Sequence, residues 1–328
     1  MSAAARRQDR PGARGEPINE PMTEAEFDRL FHDVSNWGRW GPKDERGTLN
    51  YLTPDRVRGA AALVLSGRSV SMSRPIDTVA AVDNPNPAIH HMLQSYDIPA
   101  SAGEPQFVSD YLGCGCHGNA HSHLDALCHV AYKGRLYNNR PTSLVDSHGA
   151  HAMDVTTYAH GIVGKGVLLD IPRLRGTRWL EPGDAVTAED LRAAEKAQGV
   201  RLGEGDLFVF RVGLPLRRKE LGPWNTDHGG EGRPGLHPGA MRLLHERRVA
   251  AFLPDGDGET VPSAVEGVIH PVHALQIGAM GLACGDSLQL EELARVCEEE
   301  GRWEFMVTVA PLRLSGGTGS LVNPIAIF

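Results

Sequence analysis

The stretch Cys114-Gly-Cys-His-Gly-Asn-Ala-His121-Ser-His123-Leu-Asp125-Ala-Leu-Cys-His129 packs four histidines and one aspartate into thirteen residues, 117–129. On an extended backbone alternate side chains share a face, which predicts that His121, His123, Asp125 and His129 point the same way. Same-face Cα atoms lie about 6.5–7 Å apart in a strand, near enough for two such side chains to reach one ion. Imidazole and carboxylate together suit zinc, manganese or iron, and a carboxylate also permits a bridge to a second ion. A surface loop that merely contains histidines is the plainer reading, and the density of the cluster argues against it. Cys114-x-Cys116-His117 has no second cysteine pair with which to close a structural tetrahedron. Cys128 has apolar neighbours and reads as an inert buried thiol.

Outward from this stretch, strands and helices intermix. Residues 167–171 and 207–212 are apolar runs of strand length, and 304–310 and 324–328 read the same way. Thr23-Glu24-Ala25-Glu26 is a capping box ahead of Phe27, Leu30 and Phe31 at helical spacing. Thr53-Pro54 opens a second helix expected to run to Gly67, and Thr187 caps a third that Gly199 stops. Residues 237–248 and 291–299 are further helices, the latter with Leu290, Leu293, Ala294 and Cys297 in one stripe. The expectation is an α/β domain over residues 23–328, a mixed β-sheet core with surrounding helices, behind a disordered tail at 1–22. Gly/Pro-rich loops at 214–239 and 255–263 are placed to frame a pocket.

Composition bounds the function classes. The 328 residues carry 33 Lys and Arg against 41 Asp and Glu, a net charge of −8, so nucleic acid and anionic membranes are not expected partners. Apolar runs such as 249–254 are too short to span a bilayer. Five cysteines, an odd count in a chain this long, do not form a disulfide framework. The Arg-rich, polar N-terminus lacks the apolar core of a secretory signal, and a cytoplasmic protein is expected, with an organelle presequence the alternative because Arg6, Arg7, Arg10 and Arg14 outnumber Asp9, Glu16 and Glu20.

His123-x-Asp125-x-x-x-His129 resembles the metal motif of the cyclase family that includes bacterial kynurenine formamidase and isatin hydrolase. Trp37-Gly38-Arg39-Trp40-Gly41-Pro42-Lys43-Asp44-Glu45-Arg46-Gly47-Thr48-Leu49-Asn50 is similar to its N-terminal signature, and Gly134-Arg135-Leu136-Tyr137-Asn138 to a segment of its longer members. Residues 161–170, Gly205-Asp206, His273 with Asp286, Pro311-Leu312 and 316–320 resemble its later blocks. The resemblance implies the kynurenine formamidase-like fold and a divalent metal, zinc or manganese. It makes His123, Asp125, His273 and Asp286 ligands, Asp286 in the place of a family Glu, and His129 the catalytic acid/base. It further implies a homodimer or homotetramer acting on a small-molecule carbonyl substrate.

The chain departs from the family pattern His-x-Gly-Thr-His-x-Asp-x-Pro-x-His. Asn119 holds the first His place, His121 the Gly place, Ser122 the Thr and Leu127 the Pro, and the spacing from His273 to Asp286 is one residue longer. The missing ligand place is open to His117 or His121 through a shifted backbone. His270 competes with His273 as the distant ligand. Asp255-Gly-Asp257-Gly-Glu259 lacks a full calcium-loop pattern and reads as a solvated acidic turn over the pocket. Trp37, Trp40 and Trp224 are divided between core and pocket, with Trp40 and Trp224 the substrate-binding candidates. Gly316-Gly-Thr-Gly-Ser320 has no following Lys and reads as a tight turn. The leading expectation is a metal-dependent hydrolase of an amide, lactam or related C–N carbonyl substrate. A cyclase or dehydratase using the same metal, and a non-catalytic metal-binding relative, remain the other readings.

Overall fold

The computed structural model describes residues 21–97 and 105–328. Most of the expected tail lies outside the described residues. Met22, placed in that tail by sequence, is instead part of the fold: it bridges Val265, and its backbone bonds Ala264 and Glu266.

Nine strands form one sheet: β1 (Ser69–Ser71), β2 (His123–Asp125), β3 (Ile162–Asp170), β4 (Leu207–Arg211), β5 (Ala251–Pro254), β6 (Ala283–Asp286), β7 (Glu304–Val309), β8 (Gly319–Leu321) and β9 (Ile325–Ile327). Their order is β1-β9-β7-β3-β4-β5-β6-β2-β8. The centre, β3 to β6, is parallel, and the pairings on both sides of it are antiparallel. Parallel strands are covered on both faces, which is why β3 and β4 read as unbroken apolar runs. Val167, Leu169, Phe208, Phe210 and Phe252 face one layer, while Leu168, Val209 and Leu253 face the other. On the first face the Phe208 and Phe252 rings stack 5.1 Å apart.

Helices α1 (Glu24–Asp33), α2 (Pro54–Ala61), α3 (Ala188–Gln198), α4 (Leu214–Leu221), α5 (Met241–Arg247) and α6 (Glu291–Glu300) surround the sheet. Thr23 and Thr187 both close capping boxes, and Gly199 ends α3 in the left-handed conformation. Apolar residues of α1, α3 and α5 cover the Phe252 face, and Leu293, Val296 and Cys297 of α6 cover the other. Two expectations shift. The helix expected to reach Gly67 ends at Ala61, tightening into the bonds Leu63 N–H to Ala60 and Val64 N–H to Ala61. The loop expected from 214 instead opens with α4, started by Pro215 in its first turn.

A contact from the N-terminal signature positions a later segment. The π-helical turn Ala274–Met280 follows directly on His273. Asn36 donates to Met280 O at 2.9 Å, Trp37 Nε1 to Gly278 O at 2.7 Å, and Thr48 N–H to Gly281 O at 2.9 Å. Gly47 permits this approach: its φ is +56°, and a Cβ there would lie 1.9 Å from Gly281 O. Gly47→Ala is therefore expected to cost about 1–3 kcal/mol for its left-handed backbone, and more for the clash. Gly38→Ala is the control, since Gly38 has φ +77° but nothing within 4 Å of its would-be Cβ. Equal losses in chemical denaturation would show that the close approach carries no weight.

Candidate active site

β6 and β2 run antiparallel with Asp286 opposite His123 and Cys284 opposite Asp125. Side chains opposite one another in a ladder share a face, so this register brings together residues far apart in sequence. The cluster sits at the carboxyl end of β6, where open α/β sheets commonly place ligands. A cavity of about 570 Å³ opens over it, lined among others by His117, His123, Asp125, His129, His273 and Asp286.

Two imidazoles, those of His123 and His273, are held by the far nitrogen. His123 Nδ1–H donates to His121 O at 2.8 Å, which leaves Nε2 facing Asp125 Oδ1 at 3.5 Å and Asp286 Oδ2 at 4.0 Å. His273 Nδ1–H donates to Glu259 Oε1 at 3.0 Å and turns Nε2 toward Asp286 Oδ2 at 3.1 Å. His123 and His273, 150 positions apart, thus reach the same carboxylate oxygen. Fixing the outer nitrogen in this way is how metal-binding histidines are oriented. Burial works against a charged His273, but hydrogen bonds with Asp286, Cys284 and Glu259 outweigh it and raise its pKa well above the usual range.

Asp125 is the hub. Its Oδ1 accepts from His117 Nδ1–H at 2.8 Å, while Oδ2 is buried without a hydrogen-bond partner. Burial opposes its charge, yet His117 and the neighbouring imidazoles hold the carboxyl down to about 2. Donor atoms of His117, His123 and Asp125 lie within 4.8 Å of one another, as do those of Asp125, His273, Cys284 and Asp286. An orphaned buried carboxylate oxygen amid convergent imidazoles and a second carboxylate fits a divalent cation.

The shared strand face expected for the four residues covers only His123 and Asp125. β2 ends at Asp125, and a turn closed by His129 N–H to Ala126 O at 3.0 Å folds the chain back. That turn, not a continued strand, puts His129 Nε2 3.8 Å from Asp125 Oδ2. Its ring stacks flat on His117 at 3.7 Å. Burial is the largest cause pulling the His129 pKa down to about 4; Asp125 opposes it and the other imidazoles add to it. At neutral pH this imidazole is uncharged.

His121 points away, with Nε2–H donating to Asp77 O at 3.1 Å. His117 occupies the space instead, held from behind by Thr318 Oγ1 at 2.9 Å. Gly319 makes room for it: a Cβ there would lie 2.7 Å from His117 Cε1. Asn119, which the resemblance sets at the first His place of the family pattern, reaches across the cavity mouth to Thr226 and Asp227. His270 is exposed at the rim, its ring 6.1 Å from that of His273.

Three expectations do not match these positions. Asp255, Asp257 and Glu259 form no solvated turn: Asp255 and Glu259 have no exposure at all, and Asp257 is clamped by Arg233. Trp224 does not line this cavity; it is buried under the Arg217 guanidinium, 4.3 Å from its ring centre. Trp40 does not line it either, and packs edge-on against Tyr51.

Sequence reasoning passed over two residues of the site. Cys284 stands two before Asp286, and strand alternation alone puts both on one face. Glu259 was hidden in the acidic turn; its carboxylate accepts from the backbone N–H groups of Val272 and His273 as well as from the His273 ring. Glu259→Ala is expected to weaken metal binding about 10–100-fold. Metal titration monitored by calorimetry checks this, and an unchanged affinity would remove the positioning role.

The Cyclase family model, described as "Putative cyclase", matches residues 70–257. A solved novel cyclase is 31% identical, with TM-score 0.78 over 90% of this chain and 99% of that one. Isatin hydrolase A from Ralstonia solanacearum is 23% identical, with TM-score 0.57 over 84% of this chain and 98% of that one. An isatin hydrolase bound to the product analogue thioisatinate is 19% identical, with TM-score 0.56 over 83% and 97%. No curated protein gives a significant match. Among the described residues no helix is long and apolar enough to cross a membrane. The mixed sheet with surrounding helices is the one these structures share, and the chain belongs to the cyclase family.

Proposed function

We propose that this chain is a metal-dependent hydrolase that cleaves a C–N bond at an amide, lactam or related carbonyl. The reading is carried by one observation: the His123, Asp125, His273 and Asp286 donors converge at the floor of a cavity beside a neutral imidazole, His129. A divalent ion, zinc or manganese, supplies Lewis acidity there, bringing the pKa of a water toward neutrality and polarising a carbonyl. His123, Asp125, His273 and Asp286 hold it, and Glu259 keeps His273 aimed. His129 Nε2 takes a proton from the attacking water and returns it to the departing nitrogen.

Val130, Ala131, Tyr132, Val268 and Ala274 give the cavity an apolar wall for the body of a substrate. The solved isatin hydrolases of this fold act on a cyclic amide, which supports the lactam class. A small-molecule substrate and a homodimeric or homotetrameric assembly belong to the same reading. The test is a panel of aryl formamides, lactams and cyclic imides, isatin included, offered to metal-loaded protein and followed by carboxylate release. Metal-dependent ring or amide opening is expected. Ring closure of open carboxylates with no hydrolysis of any member would replace the hydrolase reading with a cyclase.

A further inference from the structure

Cys284 has no solvent exposure and lies where a ligand would. It is placed by β6 opposite Asp125, and its Sγ is within 4.8 Å of donor atoms on Asp125, His273 and Asp286, which are equally close to one another. Cys297 is just as buried but joins no such group among the described residues. The Cys284 thiol donates to Asp286 Oδ1 at 3.2 Å. A second observation points to a cation in the same space: Asp125 Oδ2 is buried and accepts no hydrogen bond.

We propose that Cys284 is itself a metal ligand, a thiolate that completes a set with Asp125, His273 and Asp286. This rests on the metal-centre reading above and deepens it. As the sulfur–metal bond forms, the S–H bond breaks and its proton leaves to solvent; no group is oxidised or reduced. Oxygen and imidazole donors alone accept manganese and magnesium, whereas a thiolate is a soft donor that favours zinc, iron(II) or cobalt(II). Cys284 is thus the residue that selects the ion, and the centre discriminates against manganese through it. His123 Nε2 faces two members of this set, Asp125 at 3.5 Å and Asp286 at 4.0 Å, and stays a ligand beside it, while His117 Nδ1–H holds Asp125 in place.

Cobalt(II) titration of the full-length protein tests this without any substrate. Thiolate ligation gives an intense sulfur-to-cobalt charge-transfer band in the near ultraviolet, which oxygen and nitrogen ligands do not. The wild type is expected to show the band, saturating at stoichiometric cobalt. Cys284→Ser is expected to lose the band while keeping the weaker visible bands of bound cobalt, and to shift zinc/manganese competition toward manganese. Cys114→Ser with Cys116→Ser should leave the band in place. Cobalt bound by the wild type with no band, or a band that survives in Cys284→Ser, overturns the assignment and leaves the hydrolase reading intact. A wild type that binds no cobalt at all removes the metal centre and this ligand together. Should Cys284→Ser fail to fold, X-ray absorption of the zinc-loaded wild type decides: a sulfur scatterer at about 2.3 Å supports the ligand, and its absence excludes it.

Discussion

Replacing His129 by Asn is expected to lower turnover about 10²–10⁴-fold, the usual worth of a general acid/base, with metal content and fold unchanged. The separation of the two effects follows from geometry. His129 Nε2 is 3.8 Å from the Asp125 carboxylate and belongs to neither group of closely spaced donors. Burial pulls its pKa down to about 4, so at pH 7 the imidazole is neutral and its Nε2 carries no proton of its own to block the water. Asn keeps most of the volume and a polar tip in the stack against His117, but has no titratable nitrogen. Steady-state kinetics with elemental analysis of the same sample checks the prediction. A rate within a few-fold of the parent excludes the role, and a parallel loss of metal would make His129 a ligand instead.

Asp125→Ala should do the opposite, removing most of the bound metal and with it a large share of the stability. Its carboxylate anchors His117 and faces His123 and His129, and it is common to both groups of donors. An ion that binds only the folded chain stabilises it by about 4 kcal/mol when present at a thousand times its dissociation constant. The wild type should therefore lose thermal stability when a chelator is added, and the Ala variant should not respond to it. Full metal occupancy in the variant, or an equal response to chelator, would contradict the assignment.

What was legible in the sequence was whatever rests on near neighbours. The two capping boxes, the buried strands β3 and β4, and the pairing of His123 with Asp125 on one face all depend on residues a few positions apart. The site's completion depends on register and on small residues from distant segments. β2 is three residues long and gets its place from β6 and β8 on either side, which no local pattern announces. His117 reaches Asp125 through the positive φ at Gly118 and the missing side chain at Gly319, neither of which stands out among 38 glycines. Glu259 looked solvated because its partners, Val272 and His273, lie more than ten residues onward. Between His273 and Asp286 the chain passes through a π-helical turn, a wider coil than the α-helix that the sequence pattern did not announce.

The position of β2 also sets a timetable. Between the first histidines and the strands that flank them, the chain must lay down β3, β4 and β5, whose parallel pairings are joined by long crossovers. A growing polypeptide that has emerged only as far as His129 has neither β6 nor β8 against which to set Asp125, and no His273 or Asp286. Thr318 and Gly319, which seat His117, come later still. The donor set seen in the folded structure is therefore complete only in a chain that extends through residue 321.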